Sequence, residues 1–258
     1  MKIMGILNVT PDSFSDGGKF FDIESAVKQA LIMVEDGADI IDIGGESTRP
    51  GAKQVTLDEE LARVLPVIKG IREVSDVLLS IDTYKSEVAR AAVAAGANII
   101  NDVWAGRADE SMLKVMSELN VPVILMHNRF ENEETSCVDS IMHEVIFELG
   151  QRIHEAEKAG ISRKNIIIDP GIGFGKTLEQ NIALMKNVGD LKKLGFPVML
   201  AASKKRSIRH MATGLSDVHA QVGTIATTIH AFNQGVDIVR VHDVLENSIS
   251  IKTMKNLI

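Results

Sequence analysis

The sequence lacks the features that mark several classes of protein. Its 258 residues contain one cysteine, Cys137, which excludes an internal disulfide. No apolar run reaches the roughly 18 residues that a membrane-spanning helix needs, and no basic segment followed by an apolar one marks a signal peptide. The net charge of −7 argues against nucleic acid as the main partner. These absences predict a cytoplasmic protein that binds neither membranes nor nucleic acids.

Linkers and several common site patterns are also missing. No stretch rich in proline, glycine or serine and no block of charge divides the chain, so we expect one domain over residues 1–258 rather than two small ones. The run 171–176 lacks Walker A spacing. The histidines lack the spacing of a tetrahedral metal site, although His127 at a strand end could line a pocket.

Eight short apolar runs, each followed by a polar residue or a glycine, are the strongest positive signal. They span 3–7, 39–43, 77–81, 98–100, 122–126, 165–168, 197–201 and 237–241. Such runs, when helix-like stretches separate them, are typical of buried parallel strands. A doubly wound sheet uses the same unit, but polar residues after nearly every strand favour an α/β fold of the (β/α)8 TIM barrel type, which typically takes about 250 residues.

Amphipathic stretches between these runs are predicted as helices. They cover 23–36, 57–73, 86–95, 110–119, 138–159, 178–194, 222–234 and 245–257. The polar stretch 128–136 is predicted as a mobile surface loop. Longer loops, 9–21 and 46–54, follow the first two strands, and long loops on the catalytic face of a barrel often act as lids.

Polar acceptors follow the third, fourth and sixth predicted strands, as Asp82, Asn101 and Asp169. Any one of them could simply cap the following helix. Three that converge on one barrel mouth indicate a bound heterocycle instead, because a carboxylate accepts two parallel N–H bonds from a 2-aminopyrimidinone edge. The amide of Asn101 can donate to one ring nitrogen and accept from its neighbour.

Positive groups follow the last two predicted strands, where barrels of this type commonly bind phosphate. They lie in the segment Ser203-Lys204-Lys205-Arg206 and at Arg240, with His242 two residues further. Four cationic side chains on one face of an acidic protein predict an anion site.

The loops after the first two strands leave two interpretations open. Asn8 could ligate a hard cation such as Mg²⁺, although the segment 10–13 by itself favours a simple turn. Arg49 could clamp a phosphate or a carboxylate, or it could form a surface ion pair with Glu46.

Taken together, six segments resemble the dihydropteroate synthase family. They are NVTPDSFSDGG (8–18), DIGGESTRPG (42–51), SIDT (80–83), IND (100–102), DPGIGF (169–174) and VRVHDV (239–244), in the family's order. The resemblance implies a homodimeric barrel in folate synthesis that uses Mg²⁺. It would join (7,8-dihydropterin-6-yl)methyl diphosphate to 4-aminobenzoate and release 7,8-dihydropteroate and diphosphate. Sulfonamides would compete for the aminobenzoate pocket.

The resemblance also implies roles for individual residues. The pterin would be held by Asp82, Asn101, Asp169 and Lys205. The diphosphate would be bound by Arg49, Arg240 and His242, with Asn8 as the Mg²⁺ ligand. The aminobenzoate would be surrounded by Thr48, Pro50, Phe174 and Arg206. The implied catalytic residues are Asp82, Lys205, Asp16 and Phe14, the last two on a first loop that closes over the reacting centre.

Two positions depart from the family pattern. Gln221 stands where an acidic residue is common, and we assign it no functional consequence. Lys204 stands where the family usually has arginine. The lysine keeps the charge but loses the planar fork of arginine.

Three other functions compete with this one. A pterin-binding methyltransferase acting on methyltetrahydrofolate would not need a diphosphate site, and a non-catalytic pterin-binding paralogue would not need a leaving-group site. An aldolase-like barrel would use Lys205 for a Schiff base and leave the three acceptors without a purpose.

Overall fold

Strands and helices alternate along the computed structural model, which describes residues 1–9, 19–47, 54–129, 137–213 and 216–257. The strands are β1 (Lys2–Asn8), β2 (Ile40–Gly44), β3 (Leu78–Asp82), β4 (Ile99–Asp102), β5 (Val123–Met126), β6 (Ile166–Asp169), β7 (Met199–Leu200) and β8 (Ile238–Val241). The helices are α1 (Lys19–Glu35), α2 (Leu57–Arg72), α3 (Ser86–Ala94), α4 (Met112–Leu119), α5 (Ile141–Lys158), α6 (Leu178–Lys186), α7 (Arg206–Met211), α8 (Asp217–Asn233) and α9 (Val244–Leu257).

The strands form one parallel sheet that curls into a barrel. β1 pairs with both β2 and β8, and the order runs from β2 to β6 on one side and from β8 to β7 on the other. A parallel bridge between Ile168 and Val198 brings β6 next to the start of β7 and nearly closes the ring. The predicted (β/α)8 barrel is therefore confirmed, and each predicted strand is present.

Two apolar clusters show which strand residues face inward. The smaller cluster comprises Met4, Ile40, Ile99, Ile124, Met199, Ala201 and Ile238. Its members come from strands all around the ring, so they can meet only inside the barrel. The larger cluster combines strand residues with residues of the surrounding helices and forms the layer between them.

Polar residues form the next inward-facing layer toward the C-terminal ends of the strands. Side chains two positions apart on a strand face the same side. Asp42, Asn101 and Arg240 each follow an inward-facing isoleucine by two positions, so they face the inside of the barrel above the apolar layer. The fold thus places these polar groups at the mouth that the sequence predicts as the reactive face.

Local hydrogen bonds fix where the helices begin. Thr56 accepts from the backbone N–H of Glu59, and the Glu59 side chain accepts from that of Thr56, which caps the start of α2. Thr177 and Gln180 make the same reciprocal pair at α6. Among the helices in the described ranges, none is both long and apolar enough to cross a membrane.

Three predictions about helices and loops need correction. The predicted helix 178–194 divides into α6 and a 3-10 segment, Val188–Leu194, and the short helix α7 was not predicted. The predicted mobile loop 128–136 is wrong at its start, because Asn128 and Arg129 are buried. Asn128 donates to the carbonyl of Val103 at 3.0 Å, and Arg129 pairs with Glu144. Residues 130–136 lie outside the described ranges.

Candidate active site at the barrel mouth

Four buried acceptors meet at the mouth. Asp42, Asp82, Asn101 and Asp169 come from β2, β3, β4 and β6, and all are at most 6% exposed. Asp82 lies beside Asn101 in the strand register, and Asn101 donates to Asp42 Oδ2 at 3.2 Å. The three residues predicted to converge therefore do so. Asp42 joins them as a fourth, which the sequence argument missed.

Arg240 bridges two of these carboxylates. Its Nε donates to Asp42 Oδ2 and its Nη2 donates to Asp82 Oδ2, both at 2.6 Å. Burial alone would lower the pKa of Arg240, but the carboxylates of Asp42 and Asp82 outweigh burial and raise it. Its charge also acts on Asp169, so Arg240 and Asp169 belong to one site. One guanidinium thus serves two buried acids, and the group keeps an excess of negative charge.

Several buried oxygens at the mouth have no hydrogen-bond partner within the described part of the chain. They are Asp42 Oδ1, Asp82 Oδ1, Asp169 Oδ2 and Ser80 Oγ. Ser80 lies next to Asp42 in the register of β2 and β3. Buried acceptors without donors are costly, and native structures rarely leave them unless a ligand or water supplies the donors. The mouth is therefore built to receive a ligand that presents several N–H groups.

Burial also changes how readily the acids ionise. It raises the pKa of Asp82 to about 7, with Asp42 adding to the effect and Arg240 opposing it. It raises the pKa of Asp169 as well, while Lys205 and a hydrogen bond from the Gly171 N–H oppose the rise. Perturbed carboxyl groups of this kind are common at functional sites.

Lys205 lies within the same site, close enough for the charges of Asp169, Arg240 and Asp82 to act on it. Its Nζ donates to the carbonyl of Ile172 and lies 4.7 Å from the centroid of the Phe174 ring. Burial lowers the pKa of Lys205 to about 8, although the attraction of Asp169 opposes this. The loop after β6 and the start of α7 therefore bring Asp169, Phe174 and Lys205 together, as the sequence predicts.

The loops after β7 and β8 are tied to each other. Ser203 Oγ accepts from the backbone N–H of His242 at 3.2 Å and lies 2.9 Å from Nδ1 of the same residue. Because a hydroxyl can both donate and accept, these two contacts fix the orientation of the His242 ring through Ser203. Lys204 Nζ pairs with Asp243 Oδ1 at 2.7 Å. Arg206, the first residue of α7, is exposed beside them.

The base of the second loop is anchored by Glu46. Its carboxylate bonds to Lys85 and accepts from the hydroxyl of Tyr84 at 2.8 Å. Lys85 also pairs with Glu60 of α2. These bonds engage both oxygens of Glu46. The remaining predicted residues of the two long loops lie outside the described ranges, namely Phe14, Asp16, Thr48, Arg49 and Pro50.

Asn8 ends β1 next to Gly44 in the strand register. A Cβ at Gly44 would lie 3.8 Å from Asn8 Oδ1 and 3.8 Å from Asp82 Oδ2, so both oxygens face the space above this glycine. An amide oxygen and a carboxylate oxygen are the donors that Mg²⁺ prefers, with phosphate and water completing its shell. The residues present therefore fit the predicted cation.

His127 does not face the mouth. It follows Met126 on β5, and its Nε2 lies 3.0 Å from Glu148 Oε2 on α5, on the outer side of the strand. Burial lowers the pKa of His127, and the hydrogen bond to Glu148 opposes this. The prediction that His127 lines the pocket is therefore wrong.

Sequence reasoning missed two members of the site that the strand periodicity could have identified. Asp42 lies two positions after the inward-facing Ile40 on β2, and Ser80 is its partner in the register of β3. Both side chains therefore face the inside of the barrel. Asp42 in particular interrupts an otherwise apolar strand whose residues are all buried. A buried acid within a strand is a stronger signal than an acid after it, because nothing but a partner or a ligand explains it.

Comparisons with known proteins agree with this site. Residues 4–242 match the family described as pterin binding enzyme. The chain is 51% identical over 251 residues to the dihydropteroate synthase of Clostridium beijerinckii, covering 97% of this chain and 91% of that protein. A crystal structure of dihydropteroate synthase from Clostridium difficile with pteroic acid superposes with a TM-score of 0.93 at 44% identity, covering 99% of this chain and 96% of the other. The enzyme from Xanthomonas albilineans with 4-aminobenzoic acid gives 0.94 at 43% identity, covering 99% and 92%.

Proposed function

The chain belongs to the pterin binding enzyme family, and from that premise we propose how the residues of its barrel mouth perform the dihydropteroate synthase reaction. The enzyme joins the methylene carbon of (7,8-dihydropterin-6-yl)methyl diphosphate to the amino nitrogen of 4-aminobenzoate. The carbon–oxygen bond to diphosphate breaks, a carbon–nitrogen bond forms, and the amine loses a proton. The observation that best supports this function is the set of buried carboxylate oxygens that have no hydrogen-bond partner in the described residues and that lie close to the cationic loops.

The acid side of the mouth binds the pterin. Asp169 Oδ2 and Asp82 Oδ1 accept from the 2-amino group and the neighbouring ring N–H, and the Asn101 amide reads an adjacent ring edge. Lys205 exchanges its bond to the Ile172 carbonyl for one to the ring's own acceptors. These side chains bind the polar edge of the pterin ring and orient its methylene carbon toward the loops after β7 and β8.

The cationic side of the mouth binds the diphosphate. His242, oriented by Ser203, contributes its Nε2, and the Arg240 guanidinium lies between Asp42 and Asp82. Arg49 of the second loop supplies a third side chain that binds the diphosphate. As the carbon–oxygen bond stretches, negative charge develops on the leaving diphosphate, and fixed donors aimed at that charge lower the barrier.

Magnesium is the proposed cofactor, held by Asn8. When bound, Mg²⁺ supplies charge stabilisation for the departing diphosphate. The oxygens that face the space above Gly44 support this assignment.

4-Aminobenzoate lies above the pterin methylene. Phe174 and Arg206 border its site, with Thr48 and Pro50 of the second loop and with Phe14 and Asp16 of the first loop closing over it. The aniline nitrogen is unprotonated at neutral pH, so holding it in line with the methylene contributes more than a general base would. A sulfonamide, which has the same aromatic amine opposite an anionic group, competes at this position.

The proposed assembly is a homodimer in the cytoplasm. Large apolar side chains are exposed on two adjacent helices, with Val218 and Val222 on α8 and Leu245 and Ile249 on α9. Gln221 of α8 donates to Glu246 of α9 at 2.8 Å and holds the two helices side by side. A contiguous apolar stripe of this kind supports an interface between two copies of the chain.

Diphosphate release tests the proposed function directly. Purified protein is mixed with Mg²⁺, (7,8-dihydropterin-6-yl)methyl diphosphate and 4-aminobenzoate, and diphosphate and dihydropteroate are followed together. We expect equal amounts of both products, and no release when 4-aminobenzoate is omitted. Release that is independent of 4-aminobenzoate would contradict the function, and full activity in a chelator would contradict the role of Mg²⁺.

A further inference from the structure

We propose that Lys176 is a positioning residue of the pterin site: it holds the loop after β6 so that Asp169 and Lys205 face the ring. This inference rests on the proposed binding of pterin. Lys176 precedes α6 and was not among the predicted site residues. Its Nζ donates to three backbone carbonyls, those of Gly171 and Phe174 at 2.9 Å and that of His127 at 3.3 Å. All three donors of one ammonium group are therefore used on backbone.

The first carbonyl links Lys176 to the Asp169 carboxylate. Gly171 makes both bonds with its backbone: its carbonyl oxygen accepts from Lys176, and its N–H donates to Asp169 Oδ1 at 2.6 Å. That bond leaves Asp169 Oδ2 as the atom without a partner in the described residues, directed at the mouth. Gly171 has a φ of +68°, and a Cβ there would lie 1.9 Å from the His127 carbonyl oxygen. The loop thus packs directly against the end of β5, where Lys176 also bonds.

The second carbonyl links Lys176 to Lys205. Phe174, whose carbonyl accepts from Lys176, places its ring 4.7 Å from the Lys205 Nζ. Ile172, between the two bonded carbonyls, supplies the oxygen that accepts from Lys205. Without the Lys176 ammonium, the loop would lose the bonds that fix its backbone. Both the Ile172 carbonyl, which accepts from Lys205, and the Phe174 ring would then lose their fixed positions.

Lys176 also acts on the pterin site through its charge. Burial raises the pKa of Asp169, and three cations oppose that rise, namely Lys205, Lys176 and Arg240. Burial, with the repulsion of Arg129, lowers the pKa of Lys176 itself to about 7, so the charged ammonium form predominates below that pH. The Lys176 ammonium therefore helps to keep Asp169 ionised while its hydrogen bonds keep Asp169 oriented.

The test is binding of 6-hydroxymethyl-7,8-dihydropterin by calorimetry to the full chain and to Lys176→Met, which keeps the length and removes the donors. We expect affinity to fall about tenfold, the size of one misplaced charge-assisted hydrogen bond. We also expect the loss of affinity on acidification to begin at higher pH than in the wild type, because Asp169 loses a neighbouring cation. Asp82 titrates in both proteins, so the displacement between their curves reports on Asp169.

Controls separate positioning from general damage. Lys186→Met removes an exposed lysine from α6 and should leave affinity and pH profile unchanged. Lys176→Arg, which keeps the charge, should restore the wild-type pH profile. If Lys176→Met does not fold, Lys176→Gln is measured in its place. Unchanged pterin affinity in a folded variant overturns the inference, and a wild type that binds no pterin overturns the proposed function instead.

Discussion

At the scale of the residue, the carboxylates of the mouth differ in what holds them. Asp42 and Asp82 share Arg240, whereas Asp169 is oriented by the backbone N–H of Gly171. Asp169 can therefore be changed without breaking the bonds of Arg240 to Asp42 and Asp82. This makes it the cleanest position at which to separate pterin binding from stability.

The variant Asp169→Asn should weaken pterin binding by about tenfold to a hundredfold, since a charge-assisted acceptor becomes a neutral amide that presents a donor to the ring's N–H groups. The fold should survive, because burial of a neutral amide costs less than burial of a carboxylate. Calorimetric titration with the pterin and a thermal melt measure the two effects. Asp190→Asn, at an exposed residue, is the matched control. Unchanged affinity in a folded Asp169→Asn protein would refute the role.

Lys204 bridges the two loops of the diphosphate site by a single bond. It reaches Asp243 Oδ1, while Asp243 Oδ2 is buried and has no partner in the described ranges. Arginine, with its planar fork, can bond both oxygens of one carboxylate. We therefore expect Lys204→Arg to have equal or higher kcat/KM than the wild type.

Steady-state kinetics with both substrates check the Lys204 prediction. Lys204→Met, which removes the bridge, is the companion variant and should lower kcat/KM. A clear loss of catalytic efficiency in Lys204→Arg would show that the lysine has a role of its own that arginine cannot fill.

At the scale of the element, Lys85 connects three parts of the barrel. It follows β3, pairs with Glu46 at the end of β2 and pairs with Glu60 of α2. Both glutamates are buried, at 8% and 1% exposure. The base of the second loop therefore depends on one ammonium group that links the ends of two strands to one helix.

Replacing that group, in Lys85→Met, leaves two buried carboxylates without their cation. Breaking a buried pair in this way typically costs about 3–5 kcal/mol of unfolding free energy. Urea denaturation measures the cost. Lys114→Met removes a lysine that is 79% exposed and lies 3.9 Å from Glu118, and it should change the unfolding free energy by less than about 1 kcal/mol. Equal effects of the two substitutions would contradict the importance of the Lys85 cluster.

At the scale of the whole molecule, the apolar stripe on α8 and α9 is a surface that the barrel leaves uncovered in the described part of the chain. Val218 is 67% exposed and Val222 is 59% exposed, one turn apart on the same helix. In a single copy these side chains contact water, and in a homodimer they would be buried against their symmetry mates.

We expect the proposed homodimer to dissociate in the double variant Val218→Glu/Val222→Glu, because four charges in a two-fold interface repel one another and lose hydration. Sedimentation velocity distinguishes the two states. Phe147→Glu, at a residue of α5 that is 64% exposed, should leave the dimer intact. A dimer that persists in the double variant would place the interface elsewhere.

The sequence by itself determined the fold and the outline of the site. Strand period, strand length and the polar residue after each strand are local properties, and in a barrel they suffice to place Asp82, Asn101 and Asp169 at one mouth. Only the tertiary structure decided which charges pair. Arg240 and Asp42 lie 198 positions apart, and Lys176 bonds to carbonyls of two different loops. Such bonds depend on distances across the closed ring, which no local pattern encodes.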